Sequence, residues 1–273
     1  MDELLYTWQS MLAAEVVEGK REILQRFFKT APGEYGEGDV FLGVTVPCNR
    51  KVSRLMADAP AEAVEAMLAS DIHEHRLSAL LVLVEQYKRA AKSMKSKLRK
   101  GVDASDERHT CRRIIDFYLA HATQCNNWDL VDLSAPGLLG EYVAETGQVE
   151  ILYDLSRSTN LWEQRIAIVS TFTLLKRGIY APTIKISTDY LTHPHDLIQK
   201  ATGWMLREMG KRVSVDLLTD FLDIHASRMP RTMLRYAIEK LPPGLRELYM
   251  SIPREKQSVG GIAKNIEKIS FPT

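Results

Sequence analysis

The sequence has few cysteines and no long apolar run. Its three cysteines, Cys48, Cys111 and Cys125, lack metal-like spacing, and an odd number cannot all pair within the chain, so we expect reduced thiols. The longest strongly apolar run, residues 77–84, is too short to cross a bilayer. Residues 1–11 carry acidic side chains where a secretory signal would be basic. These absences predict a cytoplasmic protein with neither a membrane span nor a metal site.

Glycine and proline are also scarce, at 15 and 11 of 273 residues, which excludes a fibrous or largely disordered chain. Apolar residues make up 45% of the chain and charged residues 26%, ordinary values for a globular protein. The formal net charge is only +1, which argues against attraction of nucleic acid by the whole molecule. Any such binding must therefore use a local basic surface.

Apolar residues recur at helical spacing along nearly the whole chain, and strand-like alternation is scarce. We expect an all-α fold in which residues 1–250 form a single domain and residues 251–273 form an irregular extension. A basic run at 88–100 is expected to be a solvated helix face. The predicted helices lie at 3–17, 20–30, 47–57, 60–69, 72–90, 106–123, 127–145, 148–157, 161–177, 182–191, 194–211, 214–225, 229–240 and 243–250.

These helices carry a weak internal repeat. The segments 71–74 and 160–163 both fit an N-cap residue followed three positions later by a glutamate. A basic residue, Arg76, Arg165 or Lys200, stands near the start of three successive motifs. The pattern predicts an α-solenoid of HEAT-like antiparallel helix pairs with a concave groove. The basic residues would then form a ladder along one wall of that groove, where they would meet phosphates.

The segment 125–136 contains an aromatic residue and a carboxylate on one helix face. Asn127 is the predicted N-cap and Trp128 the first helical residue, which places Trp128 and Asp132 four positions apart. Pro136 cannot donate a backbone hydrogen bond, so we expect the helix to bend there. An isolated pair of this kind is usually a core aromatic beside a solvated acid. Whether this pair forms a functional site therefore depends on motifs elsewhere in the chain.

Three segments give the chain a wider resemblance. They are WDLVD at 128–132, NLWEQR at 160–165 and IQKATGWMLRE at 198–208. Together with residues 41–50, they resemble the AlkD-like DNA alkylation repair glycosylases, in order and spacing, from about residue 20 to about residue 240. The resemblance implies a HEAT-like solenoid that binds duplex DNA in its groove. It also implies release of positively charged N-alkylated purines, such as 3-methyladenine or 7-methylguanine.

The resemblance also assigns residues. The family's active-site tryptophans match Trp128 and Trp204, its catalytic carboxylate matches Asp132, and its phosphate-contacting arginine matches Arg165. Further phosphate contacts, expected from their place near the same wall, are Lys51, Lys200, Arg207 and Lys211. We expect a monofunctional enzyme that acts as a monomer, without a cofactor, a nucleotide or a metal.

Several alternatives accompany this interpretation. The Gly-rich loop at 33–39 superficially resembles a phosphate-binding loop, but its glycine order and two glutamates favour a structural turn. His73 and His75 are two apart, unlike a helical zinc pair. The family often has a tyrosine near the position of Phe27, so a hydroxyl is missing there. The competing function is a non-catalytic HEAT-repeat module that binds DNA or a protein partner through the groove.

Overall fold

The computed structural model describes residues 1–255. Of the expected extension at 251–273, residues 256–273 lie outside the described residues. The described part is all-α, as predicted, and contains no strand. Two isolated bridges, Val16 with Val44 and Val40 with Ile72, are its only ladder-type pairings. No helix within residues 1–255 is long and apolar enough to cross a membrane. The single-domain organisation of residues 1–250 stays a prediction.

The helices follow the predicted pattern, with two differences. One predicted helix, 127–145, is broken into shorter pieces. Another, α5, is longer than predicted at 27 residues, because the basic run continues the helix to Arg99. In chain order the helices are α1 (Asp2–Ala13), α2 (Lys20–Phe27), α3 (Val46–Leu55), α4 (Ala61–Leu68), α5 (His73–Arg99), α6 (Ser105–Ala120), α7 (Trp128–Ser134), α8 (Glu141–Thr146), α9 (Glu150–Ser156), α10 (Leu161–Lys176), α11 (Ala181–Asp189), α12 (Asp196–Arg212), α13 (Val215–His225), α14 (Arg231–Ile238) and α15 (Pro243–Ser251), with a short 3₁₀ turn at Ala122–Gln124.

The helices pack in series. Helix α5 contacts α7, α7 contacts α10, α10 contacts α12, and α12 contacts α14. The intervening helices pack against this series, with α6 on α5, α9 and α11 on α10, and α13 on α12. Stacked helix pairs in a solenoid would give this arrangement. The HEAT-like character of the repeat and the curvature of its groove stay predictions.

The break in the predicted helix 127–145 lies at Pro136. Helix α7 ends at Ser134, and a π-helical turn follows at Pro136–Gly140. In that turn Gly140 N–H donates to the carbonyl of Ala135, five residues back. Gly140 also lies against α10, because a Cβ there would approach Ser170 O to 2.6 Å. The predicted bend is therefore a change of helix type that lets α10 approach closely.

Two predicted N-caps are confirmed. The Asn127 side chain accepts a hydrogen bond from Trp128 N–H at 2.8 Å, which fixes the start of α7. The Asn160 side chain accepts from the N–H groups of Trp162 and Glu163, at 2.8 and 3.2 Å, at the start of α10. Helices α7 and α10, which carry three of the candidate site residues, therefore begin where the sequence predicts.

The predicted cap at Asp71 is wrong. The N-cap residue of α5 is Ile72, and no side chain caps this helix. Glu74, expected to complete the capping pair, is buried and accepts hydrogen bonds from the N–H groups of residues 42–44, at 2.8 to 3.1 Å. Two of these donors, Gly43 and Val44, are buried and require an acceptor, which Glu74 supplies. The glutamate therefore anchors the segment before α3 instead of the helix start.

Helices α12 and α14 meet backbone to backbone at Gly203. A Cβ at Gly203 would lie 2.4 Å from Met233 O and 2.6 Å from the Cβ of Tyr236. A main-chain carbonyl can yield only if the whole of α14 shifts. This contact therefore fixes the position of the next residue, Trp204.

We expect Gly203→Ala to lower the free energy of unfolding by about 1–3 kcal/mol, because the methyl group must displace α14. Gly244→Ala in α15 is the matched control. Nothing lies within 4 Å of a Cβ there, so the same change should be neutral or stabilise by up to about 1 kcal/mol. Urea unfolding of both variants measures the difference, and equal stabilities would contradict the packing described here.

Candidate active site

A cleft of about 560 Å³ opens between the α2 region and helices α7, α10 and α12. We call it the main cleft. It adjoins a second cleft of about 430 Å³, which shares Phe27, Trp128 and Asp132 with it. The main cleft is lined by Phe27, Lys29, Tyr35, Trp128, Asp132, Arg165, His195, Asp196, Leu197, Lys200, Ala201, Trp204, Arg207 and Tyr236.

The structure brings most of the candidate residues together. The two tryptophans, Trp128 and Trp204, line the main cleft with Asp132, although they come from helices far apart in the chain. Arg165, Lys200 and Arg207 line it as well.

Two candidate phosphate contacts and one member of the expected basic ladder do not line the main cleft. Lys51 lies on α3, where its Nζ pairs with Glu15 at 2.6 Å. Lys211 is exposed near the end of α12. Arg76 is buried, with its guanidinium paired to Asp39. The expected ladder is therefore incomplete in the cleft, where it consists of Arg165 and Lys200.

Asp132 and Arg165 form a two-pronged ion pair across the α7–α10 contact. Arg165 Nε donates to Asp132 Oδ1 at 3.0 Å, and Nη2 donates to Oδ2 at 2.9 Å. Arg165 Nη1 donates to the carbonyl of Leu197 at 2.6 Å, which ties the arginine to α12. The side chains are 16% and 5% exposed, respectively. The guanidinium, expected at a phosphate, is thus directed at the carboxylate here.

The pair sets the charge and orientation of the carboxylate. Burial raises the pKa of Asp132, and the adjacent guanidinium of Arg165 opposes that rise. Two parallel hydrogen bonds also fix the plane of the carboxylate. Asp132 therefore presents an oriented carboxylate at the wall of the main cleft.

Aromatic contacts and one hydrogen bond hold the Trp128 ring. Phe28 stacks on the ring, with centroids 5.1 Å apart and planes inclined by 26°. Phe27 packs edge-on, with centroids 5.8 Å apart. Trp128 Nε1–H donates to the Tyr35 hydroxyl at 3.2 Å. Trp128 remains only half-buried, so part of its ring is open to the cleft.

A buried charged cluster supports this wall from behind. His73 Nδ1 lies 3.0 Å from Asp39 Oδ2, and Nε2 lies 2.9 Å from Asp129 Oδ2. Each ring nitrogen must carry a hydrogen to bond its carboxylate, so His73 is an imidazolium. Burial disfavours that charge, but the two carboxylates raise the pKa of His73 to about 9. Asn127 and Arg76 complete the cluster by donating to Asp39.

The cluster joins three parts of the chain: the end of the Gly-rich loop, α5 and the first turn of α7. Burial opposes ionisation of Asp39, yet the bonds from His73 and Asn127 and the charge of Arg76 hold its pKa below the usual value. The sequence interpretation considered His73 only as a metal ligand and missed this role. The signals were a histidine and an arginine at the start of an apolar helix.

The Gly-rich loop is a structural turn, as predicted. Its N–H groups are used internally, since Ala31 N donates to Glu34 Oε2 and Gly33 N donates to Glu37 Oε2. Gly36 packs under α2, where a Cβ would lie 2.4 Å from Phe28 O. The loop therefore holds its own shape, and those donors are not directed at a phosphate.

Metal-ligating residue types do not form a metal site in the described part of the chain. Within residues 1–255, no group of three or more histidine, cysteine, aspartate and glutamate side chains is arranged to hold a metal ion. The cysteines at 48, 111 and 125 are all unpaired thiols.

Comparison with known proteins connects this site to a family. The family model for "DNA alkylation repair enzyme" matches residues 8–241, which is most of the chain. A search of curated proteins finds no match. A solved structure from Enterococcus faecalis, described as a predicted DNA alkylation repair enzyme, has the same fold with a TM-score of 0.62. It is 17% identical in sequence, and the alignment covers 84% of this chain and 98% of that one.

The buried imidazolium makes stability depend on pH. A raised pKa means that the stabilisation from His73 is complete below pH 6.5, the group's ordinary pKa, and is lost as the pH rises through about 9. The unfolding free energy of the wild type, relative to His73→Gln, should therefore fall by on the order of 3 kcal/mol between about pH 6 and about pH 10.

Urea unfolding across this pH range measures the difference between the two proteins. The exposed His109, replaced by Gln, serves as the control and should give a constant difference from the wild type. A constant difference for His73→Gln as well would show that His73 is not held as an imidazolium.

Proposed function

The chain belongs to the family of DNA alkylation repair enzymes, and from that premise we propose that it is a DNA glycosylase. It would excise positively charged N-alkylated purines from duplex DNA by hydrolysing the N-glycosidic bond. The observation that supports this most is the convergence of Trp128, Asp132 and Trp204 on one cleft. The proposed enzyme is cytoplasmic, monomeric and monofunctional.

The chemistry of the substrate explains why a carboxylate suffices. An N-alkylated purine already carries a positive charge, so it leaves without prior protonation. Breaking its glycosidic bond leaves the deoxyribose electron-deficient, as in other glycoside hydrolyses. A negative charge fixed beside the sugar in advance stabilises that state. In the proposal, Asp132 supplies this charge and orients the water that attacks the sugar carbon.

The two tryptophans add π-density on either side of the sugar. An indole face attracts a developing cation by about 0.5–2 kcal/mol. The packing of Trp128 against Phe28 and of Trp204 against Phe172 supports this role, since both rings are in contact with a neighbouring ring before DNA binds. Pre-ordered rings lower the entropic cost of forming the complex.

Arg165 has two roles in the proposal. Its hydrogen bonds to Asp132 support a positioning role, in which it keeps the carboxylate ionised and facing the sugar. Its place in the cleft lining is also compatible with the expected contact to a neighbouring phosphate. Lys200 and Arg207 would contact the backbone at the same cleft, and Lys51 and Lys211 would contact it farther along the duplex. Such contacts position the protein on the duplex but do not recognise the base sequence.

Ionic pairing makes Lys200 a poor nucleophile for a lyase step, in keeping with the proposed monofunctional enzyme. A lyase step needs a free amine that can form a Schiff base at the sugar. Lys200 lines the main cleft, but its Nζ pairs with Asp196 at 2.6 Å. The pKa of Lys200 is raised by that hydrogen bond, which favours the unreactive ammonium form.

We expect Asp132→Asn to reduce release of 7-methylguanine from methylated duplex DNA by about 100-fold or more, the scale for losing one preorganised electrostatic group. The matched control is Asp154→Asn on α9, whose side chain is 73% exposed. It should release base at the wild-type rate. Free 7-methylguanine, separated from the DNA by chromatography without heating, gives both rates.

Equal release by the wild type and Asp132→Asn would remove the catalytic role. Asn at this position leaves Arg165 without its anion, so thermal unfolding of the variant must accompany the assay. Binding of the duplex without any base release by the wild-type protein would instead support the alternative, a non-catalytic helical-repeat module.

A further inference from the structure

The phenol of Tyr35 has a hydrogen-bond donor that nothing in the described chain uses. Trp128 Nε1–H donates to its oxygen at 3.2 Å, and an indole N–H can only donate. The phenol oxygen is therefore the acceptor, and its own O–H remains available. Among residues 1–255, no acceptor lies within hydrogen-bonding distance of that hydroxyl. Because Tyr35 lines the main cleft, the donor is available to a ligand there.

The charge beside this phenol comes from Lys29. Lys29 lines the same cleft, and its Nζ lies 6.0 Å from the centre of the Tyr35 ring. No carboxylate of residues 1–255 forms an ion pair with it. An unpaired ammonium and an unused O–H donor at one wall form a suitable environment for an anion.

Both side chains are held by a preformed segment. Lys29 has a left-handed backbone with φ of +53°, and its carbonyl accepts a hydrogen bond from Gly36 N–H at 3.1 Å. The loop that carries Tyr35 is anchored at its far end by Asp39, which bonds His73 and Asn127. Because the segment is already ordered, little entropy is lost when a ligand binds to it.

We propose that Tyr35 and Lys29 form a subsite for one phosphodiester group of the DNA backbone. The Tyr35 O–H donates to a non-bridging oxygen, and the Lys29 ammonium neutralises the charge of the phosphate. The ammonium favours a backbone phosphate over the damaged base as the ligand of this subsite, because it attracts a phosphate and repels a cationic purine. Neither residue belongs to the segments that carry the family resemblance. The inference rests on the proposed function in that duplex DNA must enter this cleft.

Burial keeps the donor intact. It raises the pKa of Tyr35, although the bond from Trp128 and the charge of Lys200 act in the opposite direction. The phenol is therefore neutral at physiological pH and retains the proton that it donates.

The test is a binding scan with duplexes that each carry one tetrahydrofuran abasic-site analogue, which fixes the register of the protein, and one neutral methylphosphonate linkage at a successive position. The wild type should bind at least about tenfold more weakly when one particular linkage is neutral, because the hydrogen bond from Tyr35 to a charged group and the attraction to the Lys29 ammonium are both weakened. Tyr35→Phe should bind the duplex without a methylphosphonate about tenfold more weakly, and it should lose less affinity than the wild type when that same linkage is neutral, because only the Lys29 ammonium still contacts it. Tyr6→Phe, exposed on α1, is the matched control and should behave as the wild type.

Three results would overturn the proposal: no sensitive linkage in the wild type, wild-type affinity of Tyr35→Phe, or a loss at the same linkage in that variant as large as in the wild type. Lower base release by Tyr35→Phe at unchanged affinity would also overturn it, because the phenol would then only position Trp128. If Tyr35→Phe does not fold, Lys29→Gln takes its place in the same scan. Base release by the wild type is read separately, so failure of the proposed function is distinguishable from failure of the subsite.

Discussion

A largely buried carboxylate is more readily kept ionised when a fixed cation lies beside it, and Arg165 is that cation for Asp132. Burial alone raises the pKa of Asp132, and Arg165 opposes the rise through two parallel hydrogen bonds. The cost of burying two charges is recovered only with good geometry, and loss of one partner typically costs about 3–5 kcal/mol. The pair therefore requires α7, α10 and the carbonyl of Leu197 on α12 to keep fixed relative positions.

The placement of the charged side chains explains how a chain with a net charge of +1 can still present positive charge in its main cleft. Several acidic side chains are directed inward: Asp39 and Asp129 bond to His73, and Glu74 accepts from three backbone N–H groups. These carboxylates add little negative potential at the cleft because each is matched by buried donors. Lys29, which forms no ion pair among residues 1–255, then adds positive charge to the lining of the main cleft. Net charge describes the whole molecule, whereas binding depends on this local distribution.

Local signals made much of this architecture predictable from sequence. The caps at Asn127 and Asn160 each depend on contacts within a few residues, and the periodicity of the apolar residues gave the all-α class. Side-chain direction across helices was not predictable. Arg165 is 33 positions from Asp132, and no local pattern indicates that its guanidinium points at that carboxylate. Glu74 shows the same limit, since a capping pattern cannot reveal three N–H groups from a preceding loop.

The central claim is that Arg165 keeps Asp132 ionised for base release, and the pH dependence of release by the wild type and by Arg165→Gln tests it most directly. The midpoint of the acidic limb does not depend on how much folded protein is present. In the variant, burial of Asp132 is unopposed, so the midpoint should move to higher pH. Equal acidic midpoints in the two proteins would contradict the account, because Asp132 would then not be the group whose ionisation limits the reaction.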